Sequence, residues 1–311
     1  MTTHEQHTSF TAIDPATKVG FVSLSVADLA RSVAYYTQAF GFVQLDQTDN
    51  SVVLGVPGTP LLQLTEQVGA RPWPTERVTG LYHFAVLVPT RADLGRWLQH
   101  WLSLGNRLPG QGDHLFSEAL YLRDPDGHGI EIYRDRPRNE WPWLNGQLQG
   151  ASDPVDIRGL LADGESAGTA WTGLPAGTYM GHIHLQVGDI AQTEAFYCDI
   201  LGFEVMTRMP TALFISAGRY HHHIGFNIWH SRGAAPADAN TAKLRFFTID
   251  LPNEEARAAV VARLDAAGIA HTETAGVVVV RDPWQNTLLL QVGSAPDART
   301  AANVATAIPQ G

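Results

Sequence analysis

The feature that most limits how this chain can fold is that it repeats itself. Phe21-x4-Val26-x-Asp28 has a counterpart in His182-x4-Val187-x-Asp189. Each continues to a tyrosine eight residues after the Asp (Tyr36, Tyr197) and, five residues later, to Gly41-Phe42 or Gly202-Phe203. The offset is constant at 161 residues. A looser match joins His83-x4-Val88 to Phe246-x4-Leu251, then Gly105 to Gly268, then Asp124-Pro125 to Asp282-Pro283. The chain therefore reads as four units of roughly 50 residues, starting near Lys18, Gly80, Tyr179 and Lys243.

The units share one grammar. Val19–Val26 has strand spacing, and Asp28 suits a helix N-cap. Leu29–Phe40 carries apolar residues at helical spacing, and Gly41 suits the C-cap. Val52–Val56 and Leu61–Leu64 read as strands joined by a Pro57-Gly58 turn. The expected class is α+β, with four βαβββ modules. In chain order the first module pair is 18–136, with units 18–70 and 79–136. A linker at 137–178, rich in Pro, Gly, Asp and Trp, is expected to wrap the surface. The second pair is 179–293, with units 179–232 and 243–293, and a loosely ordered tail is expected at 294–311.

Composition narrows the function. The chain is 44% hydrophobic, enough for a sizeable core, and its apolar runs are far too short to span a bilayer. Its formal net charge of -10 has no compensating basic block, which argues against nucleic acid and anionic membranes. The polar N-terminus lacks a signal-peptide pattern. Cys198, the one cysteine, cannot form an internal disulfide, so a cytoplasmic setting is the default. It reads as helix packing rather than chemistry. The thirteen His are the oddity.

The repeat resembles the vicinal oxygen chelate superfamily of glyoxalase I, bleomycin-resistance proteins and extradiol dioxygenases, over residues from about 18 to 293. In that fold two βαβββ units close into one cup, so the resemblance implies that the four modules form two cupped mixed sheets, with metal ligands on the first strand of a unit and near the middle of its last strand. The first-strand positions here are Phe21, His83, His182 and Phe246. The last-strand positions, seven residues after Asp-Pro, are Glu131 in unit two and Leu289 in unit four. A lone strand histidine is more often a hydrogen-bonded core residue. His83, His182 and Glu131 at equivalent positions instead suggest a two-histidine, one-carboxylate facial triad. His184 shares a face with His182 and is a rival ligand, out of register by two.

Gly112-Asp113-His114, then Leu120-Tyr121 and Pro125-Asp126-Gly127 with Glu131, resembles the signature of ring-cleaving extradiol dioxygenases. The segment after Glu131 looks like the catechol-2,3-dioxygenase branch. The resemblance implies Fe(II), with Mn(II) open to the same ligands. It implies a small aromatic diol and O2 as substrates, and His114 and Tyr121 as catalytic groups donating hydrogen bonds to substrate. It further implies a catalytic acid–base histidine at the start of the last strand of unit three, within Tyr220–Asn227. His223 is the choice there, with His222 the runner-up and a substrate contact, and Asn227 a further substrate contact. A bare His run is also compatible with adventitious metal binding or a solvated strand end. Phe116, Phe214 and Phe226 are candidates for the pocket wall, although each is more often core.

Because the ligands fall in units two and three, these two must share a cup, within one chain or across a homodimer. Units one and four would form a metal-free cup. The oligomeric state is not set by the sequence. Two other readings stay open. One is a glyoxalase-type metal-dependent lyase or isomerase; the other is a non-catalytic small-molecule binder of the drug-sequestering kind.

Overall fold

The computed structural model describes residues 11–168 and 170–293; the segment 294–311 lies outside the described residues. Unit one contains β1 (Lys18–Val26), α1 (Leu29–Phe40), β2 (Val43–Gln47), β3 (Ser51–Val56) and β4 (Thr59–Glu66). Unit two contains β5 (Gly80–Leu87), α2 (Arg91–Ser103), β6 (Gly110–Asp113), β7 (Ser117–Arg123) and β8 (Gly129–Asp135). After a 3-10 turn and a short hairpin of β9 (Trp143–Leu144) and β10 (Gln147–Leu148) comes α3 (Ile157–Ser166). Unit three contains β11 (Tyr179–Gln186), α4 (Ile190–Glu194) running into a π-helical turn (Ala195–Ile200), β12 (Glu204–Met209), β13 (Ala212–Ser216) and β14 (Ile224–Asn227). Unit four contains β15 (Leu244–Leu251), α5 (Glu254–Ala266), β16 (His271–Thr274), β17 (Val277–Arg281) and β18 (Thr287–Val292).

Local sequence explains the elements. Asp28 accepts from the Arg31 N–H at 2.9 Å and starts α1. Gly41 ends it in the left-handed region, at φ 66°. The segment between units two and three carries more structure than its composition suggests. Asp156 caps α3 by accepting from the Gly159 N–H. That helix lies on α2 at a glycine crossing, where a Cβ on Gly95 would stand 2.1 Å from the Leu160 carbonyl oxygen.

The units pair out of chain order. One eight-stranded sheet runs β12-β13-β14-β11-β5-β8-β7-β6, joining units two and three within the chain. The other runs β16-β17-β18-β15-β1-β4-β3-β2, joining units one and four. Both are mixed: β5 pairs parallel with β8 and antiparallel with β11, and β1 likewise with β4 and β15.

Strand alternation divides each sheet into two faces. Phe84, Val86, Ile183, Leu185, Ile130 and Ile132 point into one large core shared by all four units, as do Val22, Leu24, Phe247, Ile249, Leu288 and Leu290. The residues between them point the other way. In the unit one/four sheet that face holds a separate apolar cluster of Phe21, Val53, Phe246, Val277 and Leu289. The three positions that lost ligand chemistry thus meet as a hydrophobic plug. In the unit two/three sheet the corresponding face carries His83, His182 and Glu131.

The repeated tyrosines have a physical role. The Tyr36 hydroxyl, on α1, donates to Asp124 Oδ2 in the last turn of unit two at 3.0 Å. Tyr197 does the same for Asp282 in unit four at 2.9 Å. These clasps tie units one to two and three to four, while the sheets tie two to three and one to four.

Candidate metal centre

His182, Ala85, Glu131 and Tyr121 form one row across β11, β5, β8 and β7, through the pairs His182↔Ala85, Ala85↔Glu131 and Tyr121↔Glu131. His182 and Glu131 lie two strands apart, about 10 Å at the backbone. Only a methyl group, from Ala85, stands between them, so the two long side chains can converge above it. His83 is the cross-strand partner of His184, one step along the same face.

The donor atoms of His83, Glu131 and His182 all lie within 4.8 Å of one another, and all three residues are buried. His182 Nε2 is 3.2 Å from Glu131 Oε2. His83 Nε2 is 3.0 Å from the same oxygen, but outside hydrogen-bond geometry, and it has no other partner. Two ligands each about 2.1 Å from an ion and at right angles are about 3 Å apart, so these spacings suit adjacent vertices of one coordination sphere. An unpartnered buried nitrogen aimed beside a carboxylate also fits a cation better than it fits a hydrogen-bonded core. Burial alone would raise the Glu131 carboxyl, but the imidazoles of His182 and His83 outweigh it and hold the group well below the usual carboxylate range. Burial lowers His83, leaving it a neutral ring with a lone pair.

Around this group the structure sorts the remaining candidates. His114 Nδ1 donates to the Ala151 carbonyl at 2.8 Å, and its Nε2 meets the Tyr121 hydroxyl at 2.7 Å. The Tyr121 ring lies 5.7 Å from that of His83. Burial, then the Glu131 charge, push its hydroxyl well above the usual tyrosine value, so it stays protonated. His114 and Tyr121 therefore bond to each other beside Glu131.

In the histidine run the geometry favours the runner-up. The His222 ring is 4.2 Å from that of His182 and 5.1 Å from Phe214. His223 instead packs on Tyr220 and accepts the Ala217 N–H on Nδ1 at 3.1 Å. It lines a separate cavity of about 350 Å³, with Lys18, Asp135 and Trp141. Burial drives His223 down to about 3. His222 rather than His223 stands against the ligand group because both precede β14 in a bend, where strand alternation does not hold, and His223 turns toward the other cavity.

Asn227 is fully buried and acts through a neighbour. Its Oδ1 accepts the Trp229 N–H, and its Nδ2 meets His184 Nε2 at 3.0 Å. His184 is tied there and lies outside the three-residue group, although its ring is 4.9 Å from His83. Tyr82, Trp229 and Phe214 surround it with ring centroids at 5.0, 5.8 and 5.7 Å. Phe214 thus does face the site. Phe116 stacks on His221, whereas Phe226 is ordinary core beside Tyr197. Tyr82 and Trp229 join the site without any signal in local sequence, and His221 of the histidine run lies beside His182 at 5.9 Å between ring centroids.

The sequence profile of the Glyoxalase/Bleomycin resistance protein/Dioxygenase superfamily matches residues 18–132 and 179–290. The chain belongs to that superfamily. Among its curated members, the catechol-2,3-dioxygenase of Bacillus subtilis (strain 168) is 42% identical over 281 residues, covering 88% of this chain and 96% of that protein. The fold of this superfamily is also seen in a candidate dioxygenase of Bacillus subtilis, with a TM-score of 0.60, 13% identity and coverage of 91% and 86% of the two chains. Glyoxalase I of Zea mays has a TM-score of 0.53, 18% identity and coverage of 88% and 92%. Among the described residues of this superfamily member, no helix is long and apolar enough to cross a membrane.

Proposed function

We propose that this protein is a cytoplasmic extradiol dioxygenase that opens the ring of a catechol-type diol with O2. His83, His182 and Glu131 would hold its metal, Fe(II) by preference, since the donor set is that of ferrous facial triads. Manganese(II) suits the same donors, and availability decides between them. The ion would supply a chelation point for both catechol oxygens and a site for O2.

The chain's own groups do the rest. Glu131 is the one anionic ligand, and it offsets part of the ion's charge while the two neutral imidazoles leave the remainder for a catecholate. His222 stands against His182 with its ring centroid 4.2 Å away, and its uncharged ring would offer a lone pair to a catechol proton and return that proton to product. Tyr121, anchored by His114, holds its hydroxyl beside the substrate oxygens. Phe214, Tyr82 and His184 would wall the aromatic ring and exclude water.

The observation that most supports this reading is the convergence of His83 Nε2 and His182 Nε2 on Glu131 Oε2, at 3.0 and 3.2 Å. The test is the purified chain loaded with Fe(II), given catechol and ¹⁸O2. A ring-opened product carrying both labelled atoms is expected. Absence of O2 uptake, with turnover of a thiol–aldehyde adduct instead, would move the protein to the lyase class. Stoichiometric binding without turnover would make it a small-molecule binder.

A further inference from the structure

A chain of hydrogen bonds leaves the metal centre through groups to which the reaction gives no direct part. Asp135 ends β8, and its Oδ1 lies 3.0 Å from His221 Nε2. His221 Nδ1 lies 2.8 Å from His222 Nδ1. The other oxygen of Asp135 accepts from the Tyr220 hydroxyl at 2.8 Å, and Tyr220 meets the Tyr133 hydroxyl at 2.8 Å.

The donors and acceptors can be assigned in only one order when both rings are uncharged. A carboxylate only accepts, so His221 Nε2 carries the hydrogen. His221 Nδ1 is then a bare lone pair. His222 Nδ1 must therefore be the N–H that fills it. His222 Nε2 is left bare, and it has no hydrogen-bond partner among the described residues. Tyr220 spends its one proton on Asp135, so Tyr133 donates to Tyr220.

We infer that Asp135, acting through His221, is a positioning residue that sets the tautomer of His222 and keeps its Nε2 free to take the catechol proton. The inference rests on the extradiol reading of the site. The carboxylate stands two hydrogen bonds from the reacting nitrogen and touches neither substrate nor metal. The packing that holds the chain in line is specific. Phe116 stacks on His221 at 4.7 Å and 19°. A Cβ on Gly181 would stand 1.9 Å from Tyr133 Oη, so only glycine beside His182 lets Tyr133 reach Tyr220.

The Asp135→Asn variant should reverse the chain. Its amide oxygen is needed by the Tyr220 hydroxyl, so the amide nitrogen faces His221 Nε2 and donates to it. His221 then carries its hydrogen on Nδ1, and His222 carries its own on Nε2, where the proton acceptor is required. A carboxylate-to-amide change that inverts a catalytic histidine has this same logic in the serine-protease triad.

The experiment is long-range ¹H–¹⁵N NMR on the full chain loaded with diamagnetic zinc(II). The His222 signals are assigned by their loss in His222→Gln. Wild type is expected to show hydrogen on Nδ1 of His222, and Asp135→Asn to show it on Nε2. In the Fe(II) protein, Asp135→Asn should lower kcat by about 10²–10⁴-fold while KM and iron per chain hold. Hydrogen on Nε2 of wild-type His222, a doubly protonated His221, an unaltered tautomer in the variant, or unchanged kcat each overturns the inference. If the variant does not fold, the wild-type spectrum still decides. If wild type shows the expected tautomer but opens no catechol ring, the extradiol reading fails and the positioning chain stands.

Discussion

The chain holds an internal comparison that yields a quantitative test. The last turns of units two and four are built alike. Asp124 Oδ1 accepts the backbone N–H groups of Asp126 and His128 at 2.9 and 2.8 Å, and Oδ2 accepts Tyr36 and His128 Nδ1 at 3.0 and 2.8 Å. Asp282 Oδ1 accepts Trp284 and Asn286 N–H at 2.8 and 2.8 Å, and Oδ2 accepts Tyr197 and Asn286 Nδ2 at 2.9 and 2.8 Å. Two chemical differences separate them: His128 against Asn286, and the buried Asp126, paired with Arg31, against Trp284. Burial raises both carboxyls. At Asp124 the His128 imidazole outweighs burial and holds the group below its usual value. At Asp282 burial wins, and the carboxyl rises to about 6 from 3.8.

His128→Asn removes the imidazole that holds Asp124 down and should therefore move it toward the state of Asp282, which sets the scale of the effect. A folded value raised to about 6 favours the protonated fold. Its contribution is complete below the unfolded value of 3.8 and is lost as pH climbs through 6. At 1.36 kcal/mol per pH unit, the gap corresponds to about 3 kcal/mol lost above pH 7, of which roughly 1.4 kcal/mol falls between pH 5 and 8. The measurement is urea unfolding of wild type and variant at both pH values. Wild type already contains the Asp282 term, so the variant's extra pH dependence is the quantity read. An equal change in the two proteins would show that His128 is not what holds Asp124 ionised.

Three further outcomes are expected. Glu131→Gln should abolish iron retention and turnover together, since the centre loses its one anionic ligand; iron per chain equal to wild type would remove Glu131 from the metal. His222→Gln should keep iron and lose about 10²–10⁴-fold in turnover, whereas His223→Gln, on the separate cavity, should leave turnover near wild type; the reverse ranking would restore His223 to the acid–base role. Phe21→Ala and Leu289→Ala should cost about 2–5 kcal/mol of stability each, read by urea melts, with metal content unchanged because both lie in the apolar plug.

Much of this molecule is legible in its sequence. The 161-residue repeat reports a recurrent unit, and the caps at Asp28 and Gly41 and the strand alternation are local signals that tertiary packing then leaves in place. The candidate ligand set was legible too. The family resemblance pointed to the ligand positions, and register carried them to His83, His182, Glu131, Phe21 and Leu289; register survives folding because a one-residue slip would turn every side chain to the wrong face. The pairing of units two and three followed from where ligand chemistry remained, although whether they share one chain was settled only by the antiparallel seam between β5 and β11. Other features needed the third dimension. Helix α3 hid in a Gly- and Pro-containing segment because its stability comes from the glycine crossing on α2, a contact with no local trace. Three consecutive histidines look equivalent as letters. The bend before β14 places His222 against His182, sends His223 to another cavity, and hands His221 to Asp135, 86 residues away in sequence. Side-chain direction over a single residue step, and hydrogen bonds between distant strands, are properties of the assembled sheet, and they decide which of the three meets the centre.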